Sequence, residues 1–158
     1  MKIREANEAD LEGIARVYRS CFPGEVDHES WIHSTFASHP RAVYYVVTMD
    51  GDICGYILWC VKNGFREECI VELEQIGVHP DAAGQGLGRA LIEQSIAEFQ
   101  RHIEALGYRI GAILVTTSEG NFAERLYEST LGVTRSAKIA NYGSGTELIL
   151  YRHSVHQA

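Results

Sequence analysis

In Val71-Glu72-Leu73-Glu74-Gln75-Ile76-Gly77-Val78-His79-Pro80-Asp81-Ala82-Ala83-Gly84-Gln85-Gly86-Leu87-Gly88-Arg89-Ala90-Leu91, a strand pattern stops at a proline, glycines alternate with other residues, and a helical pattern begins. Ile70 to Val78 reads as a strand ended by His79-Pro80. Ala90, Leu91, Ile92, Ile96, Ala97, Phe99, Ile103 and Leu106 form the apolar stripe of a long helix, with Gly107 closing it. The first turn of a helix carries N–H groups without intrahelical partners and a partial positive charge, so a glycine loop ahead of it suits a phosphate. Gly84, Gly86 and Gly88 let backbone approach a ligand without Cβ atoms in the way, and Arg89 adds a charge. A Walker A loop needs GK[ST], which is absent, and Arg89 stands where the third glycine of GxGxxG belongs. The bland alternative is a glycine turn with no ligand, but alternating glycines at a helix start are costly without a reason.

Outward from this stretch, the chain alternates strand and helix signals. Residues 2–6 read as a short strand, and Asn7 caps a helix carrying Leu11, Ile14, Ala15, Val17 and Tyr18 to about Cys21. A second helix is expected from Asp27 to His39, with Trp31, Ile32 and Phe36 on one side and Pro40 stopping it. Ala42–Met49 and Ile53–Val61 form a hairpin about Asp50-Gly51. After the long helix come a strand at Ile110–Thr116, a helix from Gly120 to about Leu131, and strands at about Val133–Ala140 and Thr146–Tyr151, with fraying from Arg152. The order predicts one α/β domain over residues 1–153, a mixed sheet of about seven strands flanked by about four helices, with residues 154–158 as a tail. Residues 70–116 make a crossover between parallel strands.

Composition narrows the function. The 158 residues suit one domain, and no apolar run approaches the roughly 20 residues of a membrane span. The first residues lack a signal-peptide core, so a cytoplasmic protein without membrane partners is expected. A net charge of −7 argues against a nucleic-acid binder, which needs clustered Lys and Arg. Cys21, Cys54, Cys60 and Cys69 contain no CxxC pair, and the histidines show no HxxxH or HExxH spacing, so no metal is expected. Cys54 and Cys60 read as small buried hydrophobes, and Cys69 as buried rather than reactive.

The glycine stretch resembles the pyrophosphate-binding loop of the GNAT superfamily of N-acetyltransferases, whose pattern is Arg or Gln, two residues, Gly, any residue, Gly or Ala. Ala83-Gly84-Gln85-Gly86-Leu87-Gly88 departs from it in its first position, and Val78-His79-Pro80 matches the segment before the loop. Asn121-Phe122-Ala123-Glu124-Arg125-Leu126-Tyr127-Glu128, followed by Leu131-Gly132, is similar to a second family segment. Aligning Ala123, Leu126 and Tyr127 puts Gly120 in the family's asparagine slot, and Asn121 reads either as a CoA contact or as a helix N-cap. Cys21-Phe22-Pro23 and Asn141-Tyr142 faintly resemble the ribosomal-protein alanine acetyltransferases.

The resemblance implies acetyl-CoA as cosubstrate, bound by Gly84, Gln85, Gly86, Leu87, Gly88, Arg89 and Asn121 and by backbone near Ile76 and Val78. The acceptor is a small-molecule amine or a peptide N-terminus, attacked directly in a ternary complex. Glu72 and Glu74 lie two residues apart on one face of a strand, where charges are expensive unless used or paired. The family alignment puts Glu72 at the position of the histone-type base, with Glu74 as the alternative, and Tyr127 at that of the acid for the leaving thiolate. The tail strands and aromatics permit a homodimer. A non-catalytic acyl-CoA-binding module is the competing function.

Overall fold

The computed structural model describes residues 1–154. Its strands are β1 (Lys2–Glu5), β2 (Ala42–Met49), β3 (Asp52–Lys62), β4 (Glu68–Val78), β5 (Arg109–Ser118), β6 (Thr134–Tyr142) and β7 (Gly145–His153). The α-helices are α1 (Leu11–Cys21), α2 (His28–Phe36), α3 (Leu87–Ala105) and α4 (Ala123–Leu131). The strands form a seven-stranded sheet in the order β1-β2-β3-β4-β5-β7-β6. This is the mixed α/β fold expected, with β4 and β5 parallel across the α3 crossover and β1–β2, β2–β3, β5–β7 and β6–β7 antiparallel. No helix among the described residues is long and apolar enough to cross a membrane.

The chain divides into two compact units. The first comprises Met1–Cys60 and Gln75–Phe99. Its start is fixed by a capping box: Ala9 N donates to Asn7 Oδ1 at 2.9 Å and Asn7 N donates to Asp10 Oδ2 at 2.8 Å. Arg4 grips the same Asp10 carboxylate with two bonds of 2.6 and 2.8 Å, joining β1 to the helix start. A 3-10 turn at Glu8–Asp10 then leads into α1. Leu11, Ile14, Ala15, Val17 and Tyr18 are all buried, as their spacing requires, and pack with Ile32, Tyr44, Val46, Tyr56 and Leu58. On α3, Leu91, Ile92 and Phe99 are fully buried, and Phe99 stacks on Trp59 at 6.0 Å. Ser95 is buried between them in the stripe and accepts the Trp59 indole N–H at 2.8 Å.

The second unit comprises Val61–Glu74 and the chain from Gln100 onward. Here β4 pairs with β5 from Glu68↔Arg109 to Leu73↔Val115, and β7 pairs with β5 from Ala112↔His153 to Ser118↔Glu147. Val71, Leu73, Ala112, Ile113, Val115, Leu131, Val133, Leu148 and Leu150 are buried. Every residue of β6 is exposed.

Several expectations need correction. The second helix ends at Phe36 rather than His39, and it starts after Asp27, whose φ of 51° is left-handed and outside the helix. The helix expected from Gly120 starts at Ala123, because Gly120 has φ +88° and Asn121 turns the chain. Ala97 and Leu106 face solvent instead of the core. Cys54 is only half-buried, whereas Cys60 and Cys69 are buried. The chain does not fray at Arg152: β7 runs to His153, and Arg152 Nη1 donates to Leu131 O at 3.1 Å. Ser154 N still donates to Gly111 O at 2.8 Å, and the rest of the expected tail, residues 155–158, lies outside the described residues.

Candidate functional site

Within the first unit, the end of β4 and the glycine loop form one continuous piece. After Val78, His79 N donates to Cys54 O at 2.7 Å, which anchors the strand end to β3. Pro80–Ala82 makes a 3-10 turn, with Asp81 N donating to His79 Nδ1 at 3.2 Å. Gly84 and Gly86 both take φ +76°, the left-handed region that L side chains avoid, and nothing lies within 4 Å of where their Cβ atoms would stand. The loop is exposed and open, so no neighbour in the fold demands glycine there. α3 begins at Leu87, and Ala90 N makes a bond back to Gly86 O at 3.1 Å. The N–H groups of Leu87 and Gly88 therefore belong to a first turn that has no intrahelical acceptors.

This arrangement fits a pyrophosphate: two open left-handed glycines, a helix start and no side chain in the cradle. Leu87 itself is buried, so it offers a ligand its backbone and not its side chain. Arg89 is committed along the helix to Glu93, at 3.2 Å. Ile76 and Val78 lie on the part of β4 beyond Leu73↔Val115, where the pairing with β5 has ended. Backbone groups on that side of the strand are thus not used in the parallel ladder.

The structure adds residues around this strand end that sequence reasoning missed. Cys21 Sγ donates to Val78 O at 3.3 Å, and burial pushes its thiol above the ordinary range. Tyr56, fully buried, donates to Gln75 Oε1 at 2.6 Å, and burial raises its hydroxyl strongly. Tyr18 lies edge-on to Tyr56, with ring centres 6.4 Å apart, and its hydroxyl is raised by burial while the hydrogen bond to Gln75 opposes this. Gly77 is the small residue that lets Tyr56 and Cys21 close over β4: a Cβ there would stand 3.0 Å from the Tyr56 ring and 3.2 Å from Cys21 Sγ. These contacts come from α1 and β3, far away in sequence, and only the glycine inside the strand hinted at a close approach.

The second unit holds the remaining predicted residues. Glu72 is buried, opposite Leu114 of β5, while Glu74 is exposed. The two carboxylates that look equivalent in sequence are therefore unlike in environment. Lys62 Nζ stands 3.0 Å from Glu72 Oε2. Tyr127 on α4 is buried, and desolvation pushes its hydroxyl up to about 12. Asn121 Oδ1 accepts from Ala123 N at 2.9 Å, so its side chain is engaged at the start of α4. Among the described residues, no group of three or more His, Cys, Asp or Glu is placed to hold a metal ion.

Comparison with known proteins identifies the family and the fold. Residues 11–133 match the family described as Acetyltransferase (GNAT) family. No curated protein matches the sequence. Among solved structures, the ribosomal-protein-S18-alanine N-acetyltransferase from Escherichia coli is similar at a TM-score of 0.79 and 21% identity, over 99% of this chain and 96% of that one. A putative acetyltransferase from Salmonella typhimurium, solved with acetyl-CoA, is similar at 0.69 and 22% identity, over 100% and 96%. A chimeric spermidine N-acetyltransferase from Vibrio cholerae and hSSAT is similar at 0.71 and 16% identity, over 97% and 96%. At these identities the likeness to solved structures is one of fold.

Proposed function

The chain belongs to the GNAT acetyltransferase family, and from that membership we propose that it moves the acetyl group of acetyl-CoA to a primary amine by direct attack. The family uses acetyl-CoA. The observation that carries the reading here is the exposed pair Gly84 and Gly86, both at φ +76° ahead of the first turn of α3. That loop, with the N–H groups of Leu87 and Gly88, holds the pyrophosphate; backbone of Ile76 and Val78 holds the pantetheine arm. The acceptor is a small-molecule amine or a peptide N-terminus.

The chemistry sets three demands. The attacking nitrogen must lose a proton, because an ammonium has no lone pair. The carbonyl oxygen gains negative charge as the C–N bond forms, and a backbone N–H near Ile76 or Val78 is suited to receive it. The C–S bond then breaks, and the departing thiolate needs a proton. Glu72 takes the proton from the amine, directly or through a water, and Tyr127 donates a hydrogen bond to the thiolate, a modest assist, while the thiolate takes its proton from water. Glu74, exposed to solvent, is the alternative base. The family alignment favours Glu72, and the cost of hiding its carboxylate in the sheet is offset by the ion pair with Lys62.

The test is thiol release from acetyl-CoA in the presence of polyamines, amino acids or peptides with free N-termini. Release that requires the amine is expected, and Glu72→Gln is expected to lower kcat by roughly 10²- to 10⁴-fold with little change in the KM for acetyl-CoA. Binding of acetyl-CoA with no amine-dependent release for any acceptor class would instead indicate a non-catalytic acyl-CoA-binding module.

A further inference from the structure

The Glu72 carboxylate is shut away from water on one side and faces the Lys62 ammonium. Glu72 is 7% exposed, and its Oε2 is sealed from solvent with no aligned hydrogen bond. Lys62, the last residue of β3, brings Nζ to 3.0 Å from that oxygen, with about a third of its own side chain exposed (35%). The contact is thus an ion pair and not a directional bond. Lysine is suited to this: a point charge on a flexible stem compensates a carboxylate without fixing a bidentate geometry.

We propose that Lys62 is the positioning residue for the base, an inference that rests on the reading of Glu72 given above. Lys62 holds the carboxylate at one place in the sheet while Glu72 waits for the amine. When the proton passes from the amine nitrogen to the carboxylate, Glu72 becomes neutral and the pair loses its attraction. Lys62 keeps its charge, with about a third of its side chain open to solvent. The proton later leaves Glu72 for water, and the pair re-forms. No electron transfer or further reactant is involved.

The experiment compares wild type, Lys62→Met, Lys62→Arg, Glu72→Gln and the double variant Glu72→Gln/Lys62→Met by steady-state thiol release, with thermal unfolding alongside. Lys62→Met is expected to lower kcat by roughly 10- to 100-fold through misplacement of the base, leaving the KM for acetyl-CoA nearly unchanged. Lys62→Arg should recover most of the loss, and Lys62→Met should cause no further loss in the Glu72→Gln background. A merely structural lysine would lower activity equally in both backgrounds, and that result overturns the proposal, as does an unchanged kcat in Lys62→Met. If Lys62→Met does not fold because it strands a buried charge, the Arg variant and the double variant, which strands none, still decide the question. If Glu72→Gln keeps wild-type kcat, the assignment of the base itself fails. If Glu72→Gln is impaired but Lys62→Met is not, only the role of Lys62 fails.

Discussion

Tyr127 is 6% exposed, and burial is the cause that lifts its hydroxyl from an ordinary 10.0 to about 12. A phenol in that state keeps its proton throughout the neutral range, so it assists a thiolate by donating a hydrogen bond rather than by giving the proton up. Tyr127→Phe is expected to cut kcat by about 10²-fold, with the KM for acetyl-CoA little changed; an unaffected kcat would remove it from the mechanism. The same burial has a consequence for stability. Below pH 10 the group is protonated in both folded and unfolded chains. As pH rises between 10 and 12 the unfolded chain releases a proton that the folded chain retains, so stability falls across that window, by on the order of 2 kcal/mol. Denaturant midpoints at about pH 9 and about pH 11 should draw together in Tyr127→Phe relative to wild type. At this scale the sequence was only partly legible. It offers Glu72 and Glu74 as a pair, but alternation along a strand says nothing about which of the two is covered. Lys62 could not have been found, because residues 63–67 form a loop that leaves the register of β4 against β3 open.

At the scale of elements, the strand–loop–helix from β4 to α3 is readable because three independent signals coincide there: a strand pattern, a proline stop and glycines before an amphipathic helix. Gly84 and Gly86 are left-handed with open space about them, so a Cβ at Gly86 would strain the backbone and intrude on a ligand without disturbing the core. Gly86→Ala is therefore expected to keep the fold, let the free loop relax out of the left-handed conformation and weaken acetyl-CoA about tenfold, since returning an L-residue to it on binding costs about 1–2 kcal/mol. Calorimetric titration showing wild-type affinity would mean that the cradle is elsewhere. Helix ends were harder to read. Asp27 and Gly120 sit in positive φ just before α2 and α4, and polar residues in such turns look, in sequence, like the helix start itself. The late hairpin was read too short for a similar reason: Asn141, at φ 58°, and Tyr142 lie inside β6, and only Gly143 and Ser144 separate it from β7.

For the whole molecule, membership in an acetyl-CoA-using family and a net charge of −7 point the same way. Net negative charge does not help bind a polyanionic cosubstrate, so the proposed site relies on local devices: backbone N–H groups and the dipole of α3, not a field of lysines. Binding of that kind acts on the folded chain alone and must appear as stability. The direct measurement is thermal unfolding with and without saturating acetyl-CoA. At about 100 times its dissociation constant the ligand stabilises by about 2.7 kcal/mol, which for a domain of this size raises Tm by roughly 5–10 °C. That rise is what the account predicts; no rise with millimolar acetyl-CoA, CoA or longer acyl-CoAs would contradict it.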